Sequence, residues 1–306
     1  MIRYYFKSIN DKELLTLKDF RPGTWIYAED PSRDELEKIA LDYGLELGHL
    51  TDALDPHEVP RLEIENQTLY FYRRAPYELD TRVITTPILV VVGEDFVVTV
   101  SKYSLPFLNR ILKGTVDLNT TQKAKLIIQI FSEITASYNS FLTNIRRKVR
   151  TSGVEKNQIN NTVIMQFIRF EEILNDFLTE LEPASVILEG LVSGKILPLH
   201  ESDKDIVEDL SHSTGQLIVQ SRATMRSIVN VRESYSTILT NDLNRVIRIL
   251  TGLTIILNVS MIITGLYGMN VALPFAHSPH AFWGVILFSS MVSLLLLLVF
   301  RRNRWF

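Results

Sequence analysis

The sequence predicts a mixed α+β and membrane-α chain: an N-terminal α/β domain, a long helical stalk and two C-terminal membrane-spanning helices. Three observations carry this: a C-terminal stretch without charge, helical periodicity through the middle of the chain, and short strand-like runs in its first third. Of the 67 charged side chains in 306 residues, all but Arg301, Arg302 and Arg304 lie in residues 1–248, and 249–300 holds none. At an overall charged fraction of 22% a gap of that length does not arise by chance, and a hydrocarbon-embedded hairpin is its natural cause. Disorder, a disulfide-stapled secreted fold (there is no cysteine) and a wholly soluble protein are excluded.

Residues 1–115 read as the α/β domain. Apolar and aromatic runs at Ile2–Phe6, Thr24–Ala28, Thr68–Arg73, Ile84–Val92 and Phe96–Ser101 have strand composition, with Gly93-Glu94-Asp95 as a hairpin turn between the last two. Ser32 with Glu35 three residues later predicts a capping box opening a helix through Leu41, and 47–54 predicts a shorter one. No glycine-rich phosphate loop follows any strand, which removes the usual nucleotide-binding reading. With no nucleophile–base pair or metal-ligand cluster either, an enzyme is the least expected class.

Residues 116–248 read as a helical domain and stalk. Lys123–Arg150 and Gln158–Leu181 predict two long helices, an antiparallel pair broken near Gly153. After Pro198, Ser202 with Asp205 offers a cap, and a helix from about Lys204 to Met269 follows, roughly 100 Å long at 1.5 Å per residue. Ile206, Leu210, Leu217, Met225, Ile228, Tyr235, Leu239, Val246 and Leu250 form its packing seam. Partners within the chain and partners in other subunits both fit residues 206–230, and nearer the membrane oligomerisation is favoured.

The first span occupies residues 249–269. Asn244, Thr251, Thr254, Asn258, Met261 and Gly265 share one helical face, a polar or small stripe, whereas Ser260 and Thr264 lie off it and read as helix–helix hydrogen-bonding groups. Polar groups in hydrocarbon must pair or face water, so the stripe predicts a pore lined by one such helix per subunit. A loop at 270–280 leads to the second span, 281–300, lipid-facing in composition and bounded by Phe282, Trp283 and Trp305. Basic residues flank the spans at Arg245, Arg248 and the 301–306 tail, and none lies in the loop. Both termini are therefore expected in the cytoplasm, and nothing in the first residues marks a signal peptide. Residues 1–248 carry 29 basic and 35 acidic groups, which argues against nucleic acid and suits cations as partners.

Tyr267-Gly268-Met269-Asn270 at the outer end of the first span resembles the signature of the CorA family of divalent-cation channels, the 2-TM-GxN superfamily. The likeness extends to Trp25 before Pro31-Ser32, to Asp52-x-Leu54 with Pro60-Arg61-x-Glu63, and to Asn244 with Leu250-Thr251 at the pore entrance. What the resemblance implies is a homopentameric Mg²⁺ channel, with Co²⁺ and Ni²⁺ as further ions, in the cell membrane. A cytoplasmic funnel leads to a pore made by the first span, and Tyr267, Gly268, Met269 and Asn270 select the ion. Neutral oxygen acceptors suit a hydrated Mg²⁺, which dehydrates reluctantly. The resemblance also implies that Asp52 and Asp209 share an inhibitory cytoplasmic Mg²⁺ between neighbouring subunits.

Three places depart from the family pattern. Asn258-Val259 stands where Met-Pro is common, Met261 stands where Thr is common, and the loop carries His277 and His280 in place of an acid. These leave open the constriction and the ion, Mg²⁺ or a softer cation such as Zn²⁺. A Zn²⁺ transporter similar to ZntB and a non-conducting membrane-tethered sensor or scaffold are the alternative readings.

Overall fold

A computed structural model describes residues 1–306 except 81, 113–117, 155–160, 272, 275–277 and 304–306, and the side chains of 152–154 and 161. It divides into two units, 1–229 and 230–306. The first is built on a seven-stranded sheet of β1 (Ile2–Phe6), β2 (Leu15–Leu17), β3 (Thr24–Glu29), β4 (Arg61–Glu65), β5 (Thr68–Leu79), β6 (Arg82–Val92) and β7 (Phe96–Ser101), in the order β2-β1-β3-β7-β6-β5-β4. Only the β3–β7 pairing is parallel.

The five strands read from sequence are present, with β5 and β6 longer than expected because Leu69 to Leu79 pairs with Val92 to Arg82 as one continuous ladder. Two edge strands escaped the reading. β2 has three residues, two of them exposed, and β4 is Arg-Leu-Glu-Ile-Glu, whose charges disguise its alternation.

Helix α1 (Arg33–Tyr43) opens on the predicted capping box: Ser32 Oγ accepts from the Glu35 amide at 3.2 Å, and Glu35 Oε2 accepts from the Ser32 amide at 2.9 Å. It stops at Gly44, whose φ of 62° is cheap only for glycine. Helix α2 (Leu47–Asp52) follows. Together they cover one face of the sheet over Ile26, Ala28, Tyr70, Tyr72, Leu89 and Val98.

Side chains alternate along β5, so Phe71 and Arg73 point to the other face. There lie α4 (Lys123–Val154) and α5 (Asn161–Val192), preceded by the short α3 (Pro106–Leu112). Phe71 meets Phe131 of α4 edge to face, and Arg73 pairs with Glu180 of α5, both side chains fully buried. Burial pushes the Glu180 carboxyl up from its ordinary value, while the Arg73 guanidinium and the Arg74 amide pull it back.

α5 continues past Leu181, the end expected from the sequence, and carries Pro183 inside it. The ring costs a backbone bond, but continuing the helix buries Ala184, Leu188 and Leu191, which outweighs it.

Helix α6 runs Glu201–Tyr267. Its start is set by the His200 carbonyl, which accepts from the Asp203 and Lys204 amides at 2.9 and 3.0 Å, so Ser202 lies in the first turn rather than capping it. Within the first unit its buried seam is Asp203, Val207, Leu210, Thr214, Leu217, Ser221, Thr224 and Ile228, a strict 4-3-4-3 spacing. The seam residues Leu210, Leu217 and Ile228 are confirmed. Ile206 is 47% exposed and lies beside the seam, and half of the true seam is small or polar, which hid it from a search for apolar residues. Arg222 to Glu182 and Arg146 to Gln220 fasten α6 to α5 and α4.

The second unit holds the remainder of α6 and α7 (Ala281–Arg302), and both helices are long and apolar enough to cross a membrane.

The buried pair gives a stability prediction. Glu180→Leu strands the Arg73 charge at zero exposure and should lower the unfolding free energy of the full-length protein by about 3–5 kcal/mol. The double replacement Arg73→Met with Glu180→Leu should recover most of it. Equal thermal midpoints for the wild type and the single variant would show that the pair contributes nothing.

Candidate functional site

In the second unit α6 presents two different faces. Gly252, Ile255, Ile256, Val259, Ser260 and Ile263 are recessed, whereas Asn244, Leu250, Thr251, Thr254, Asn258, Met261 and Gly265 are all exposed. At about 100° per residue the recessed set is centred about 130° around the helix from Asn258. The recessed face meets α7: Ile256 and Ser260 line a crevice of about 350 Å³ with Ser289, Ser290, Ser293, Leu294 and Leu297, and the Ser260 and Ser293 hydroxyls are 2.8 Å apart. Ser260 is therefore the interhelical group the sequence indicated. Thr264 is not, since its hydroxyl donates to the Ser260 and Met261 carbonyls of its own helix. Thr254 likewise donates to Leu250 O, which satisfies it without a partner helix. Asn258 is exposed on the side α7 does not cover.

At its outer end α6 tightens. The Gly268 amide donates to the Thr264 and Gly265 carbonyls at 3.1 Å, and the Met269 amide to Leu266 O at 3.3 Å. Positive φ among described glycines occurs only at Gly23, Gly44 and Gly194, so Gly268 makes this turn without it. A Cβ there would stand 3.4 Å from the Gly265 carbonyl, close contact rather than prohibition. Tyr267 is 41% and Met269 52% exposed, and Asn270 is exposed beside them. In the loop, His280 immediately precedes α7 and lines a hollow with Tyr267 and Phe288; His277, like Trp305 at the other end of the second span, lies outside the described residues.

In the first unit the two candidate regulatory carboxylates have different surroundings. Asp52, the last residue of α2, is 3.4 Å from Arg61 Nη2. Arg61 also bonds Glu58 and Glu63 and lies 3.8 Å over the Tyr72 ring, so Asp52 belongs to a network of one cation and three carboxylates. Burial holds the Tyr72 hydroxyl above its ordinary pKa, keeping it a neutral donor. Thr51, where an acid would double the charge, turns its hydroxyl to the Gly48 carbonyl. Asp209 is exposed on α6 and borders a cleft of about 400 Å³ with Ser132, Asn139, Ser213 and Gln216. Asp52 does not line that cleft, so one chain does not bring the two carboxylates into a common site. Asp52 is legible in the sequence, whereas the Arg61 network around it depends on α2 packing beside β4, which Pro60-Arg61-x-Glu63 alone does not reveal.

Residues 23–302 match the family model described as CorA-like Mg²⁺ transporter protein. The chain is 28% identical over 310 aligned positions, 95% of its length and 93% of the relative's, to the cobalt/magnesium transport protein CorA of Methanocaldococcus jannaschii. The complete structure of the CorA magnesium transporter from that organism superposes with a TM-score of 0.88 at 23% identity, covering 100% of this chain and 99% of the other. The full-length CmaX protein gives 0.76 at 18% identity, covering 100% and 98%. The cytoplasmic domain of ZntB from Vibrio parahaemolyticus gives 0.64 at 9%, covering 78% and 98%, a likeness of fold alone.

The interhelical hydroxyl pair can be tested by a double-mutant cycle. Ser260→Ala and Ser293→Ala should each destabilise the α6–α7 hairpin by about 0.6 kcal/mol in lipid, and the double variant should cost little more than either single one. Strict additivity in thermal unfolding would mean that the two hydroxyls do not interact.

Proposed function

We propose that this chain, which belongs to the CorA-like Mg²⁺ transporter family, carries Mg²⁺ and Co²⁺ across a membrane as a channel whose conducting path is the exposed polar face of α6. The observation that carries the reading is that face itself. Thr251, Thr254, Asn258, Met261 and Gly265 lie on the side of the helix that α7 leaves uncovered, and the face ends at Tyr267-Gly268-Met269-Asn270. One companion helix cannot enclose a water-filled path, so several copies of the chain are required, and the reading takes the homopentamer that the family resemblance implies. Both termini are on the cytoplasmic side, in keeping with Arg245, Arg248, Arg301 and Arg302.

In this reading a hydrated divalent ion approaches the outer mouth, where Asn270 side-chain oxygens and nearby backbone carbonyls accept hydrogen bonds from its water shell. Recognition through the shell avoids the cost of stripping Mg²⁺. Membrane potential drives the ion inward with about 4.6 kcal/mol per 100 mV for a divalent charge. Asn258 and the threonines keep the path wet through the hydrocarbon. On the cytoplasmic side, Mg²⁺ joins Asp209 of one subunit to Asp52 of the next, converting carboxylate repulsion into a link that favours the closed state. Arg61 competes with that ion for Asp52, which tunes the site to respond only when internal Mg²⁺ is high.

Flux into liposomes containing the purified protein tests the function, with Mg²⁺, Co²⁺, Ni²⁺ and Zn²⁺ offered with and without a pH gradient. Potential-driven Mg²⁺ and Co²⁺ entry that ignores the pH gradient is the expected result. Zn²⁺ entry that requires the gradient would favour a proton-coupled zinc transporter, and no flux of any ion would favour a sensor. Asn270→Ala should leave the oligomer intact and abolish this flux, and Asn258→Leu should reduce it strongly by drying the path.

The regulatory site has its own test. Asp209→Asn should yield a channel that still conducts when internal Mg²⁺ is raised to levels that close the wild type. Unchanged inhibition with unchanged affinity in that variant would remove Asp209 from regulation.

A further inference from the structure

Among the described residues, the richest unassigned group of metal-ligating side chains surrounds His49, one helical turn before Asp52. Glu63 and Glu65 stand two apart on β4 and therefore share a face, and α2 lays His49 against them. His49 Nε2 is 3.0 Å from Glu65 Oε2, and Nδ1 is 3.6 Å from Glu63 Oε2. Glu46, the residue that precedes α2, completes the group: one ligand atom each from Glu46, His49 and Glu65 lie within 4.8 Å of one another.

We propose that Glu46, His49 and Glu65 form a binding site for a borderline-soft divalent cation of the Zn²⁺, Co²⁺ or Ni²⁺ class, contained in one chain and separate from the conducting path. The donor set selects the class. One imidazole nitrogen and two carboxylates suit Zn²⁺ and its neighbours, whereas Mg²⁺ prefers all-oxygen coordination and retains its waters. The spacing suits the size: ligands about 2.1 Å from a tetrahedral ion stand about 3.4 Å apart, within the span these three atoms already occupy.

The histidine is also held in place by its neighbours. The His49 ring packs against the Tyr70 ring at a centroid distance of 4.2 Å, which fixes its plane. The Tyr72 oxygen lies 2.7 Å from His49 Nδ1 and 3.3 Å from the His49 carbonyl. Without a metal, Tyr72 O–H donates to Nδ1 and Nε2–H donates to Glu65. With a metal on Nε2, the ring takes the other neutral tautomer: its single proton moves by way of solvent from Nε2 to Nδ1, which donates to the Tyr72 oxygen while Tyr72 O–H turns to the His49 carbonyl. Both arrangements use distances already present. A hydrogen-bond partner on the other ring nitrogen fixes the tautomer and orientation of a ligating histidine, and here the Tyr72 oxygen takes that place. Access is open, because the His49 side chain is 14% exposed while that of Glu65 is 41% exposed. Glu63 joins this group to Arg61 and through it to Asp52, so occupancy changes the charge balance beside the candidate Mg²⁺ site.

The test is a Co²⁺ titration of the purified full-length protein in a large excess of Mg²⁺, which fills oxygen-only sites, followed by visible absorption. One Co²⁺ per chain with the intense bands of low-coordinate nitrogen and oxygen ligation is expected, and Zn²⁺ should displace it. His49→Gln should weaken this Co²⁺ at least about tenfold, and so should Glu46→Gln at an exposed position where folding is not at stake. Asp52→Asn and Asn270→Ala should keep the band, which separates this site from the proposed regulatory and pore sites. Absence of the band in the wild type, or an unchanged titration in both His49→Gln and Glu46→Gln, would overturn the proposal.

Discussion

A side-chain amide carried into hydrocarbon must face water or a partner, and Asn258 imposes that condition on everything around it. Serine and threonine in the same helix escape it by bonding their own backbone, as Thr254 and Thr264 do. α7 packs on the opposite side of α6, where Ser260 meets Ser293, and Asn258 is exposed on the side it leaves uncovered. The proposed function accordingly turns the exposed stripe toward water rather than lipid. In the proposed reading further copies of the same helix complete it around water, and the polar turn at Tyr267 to Asn270 is the mouth of that assembly.

The first unit meets a different demand, to hold a seven-stranded sheet between two unlike helical layers. One layer is small: α1 and α2 lie over Tyr70, Tyr72 and their neighbours and bring His49 and Asp52 to the β4–β5 edge. The other is the helical domain, tied to the sheet by Phe71 against Phe131 and by the buried Arg73–Glu180 pair. A charge pair of this kind adds little net stability compared with apolar side chains of the same volume. What it supplies is registry, since an α5 shifted by one residue would leave two charges in the core without partners.

Much of this was legible in the sequence where the signal is local. The Ser32–Glu35 box, the turn at Gly93 and the charge-free hairpin each declare themselves within a few residues or within one periodic run. Edge strand β4 did not, because a strand with one solvated side carries Arg61, Glu63 and Glu65 where a core strand would be apolar. The seam of α6 was half visible: Thr214, Ser221 and Thr224 are buried as small residues that let helices approach, and no hydrophobic pattern marks them. The His49 cluster was invisible for a topological reason. Glu46 and His49 lie on one side of a strand connection and Glu65 on the other, and only the packing of α2 over β4 and β5 unites them.

The chain has no cysteine, so single cysteines can be placed along the membrane part of α6 without background. Reaction of cysteines at 251, 254, 258, 261 and 265, and at 252, 256, 260 and 263, with a small water-soluble, membrane-impermeant thiol reagent during Mg²⁺ flux measures directly which face of the helix meets water. A water-lined stripe is expected to give modification and block of flux at the first set and protection at the second, a pattern that repeats every three to four residues. Equal reactivity on both faces, or block confined to the face that packs on α7, would contradict it.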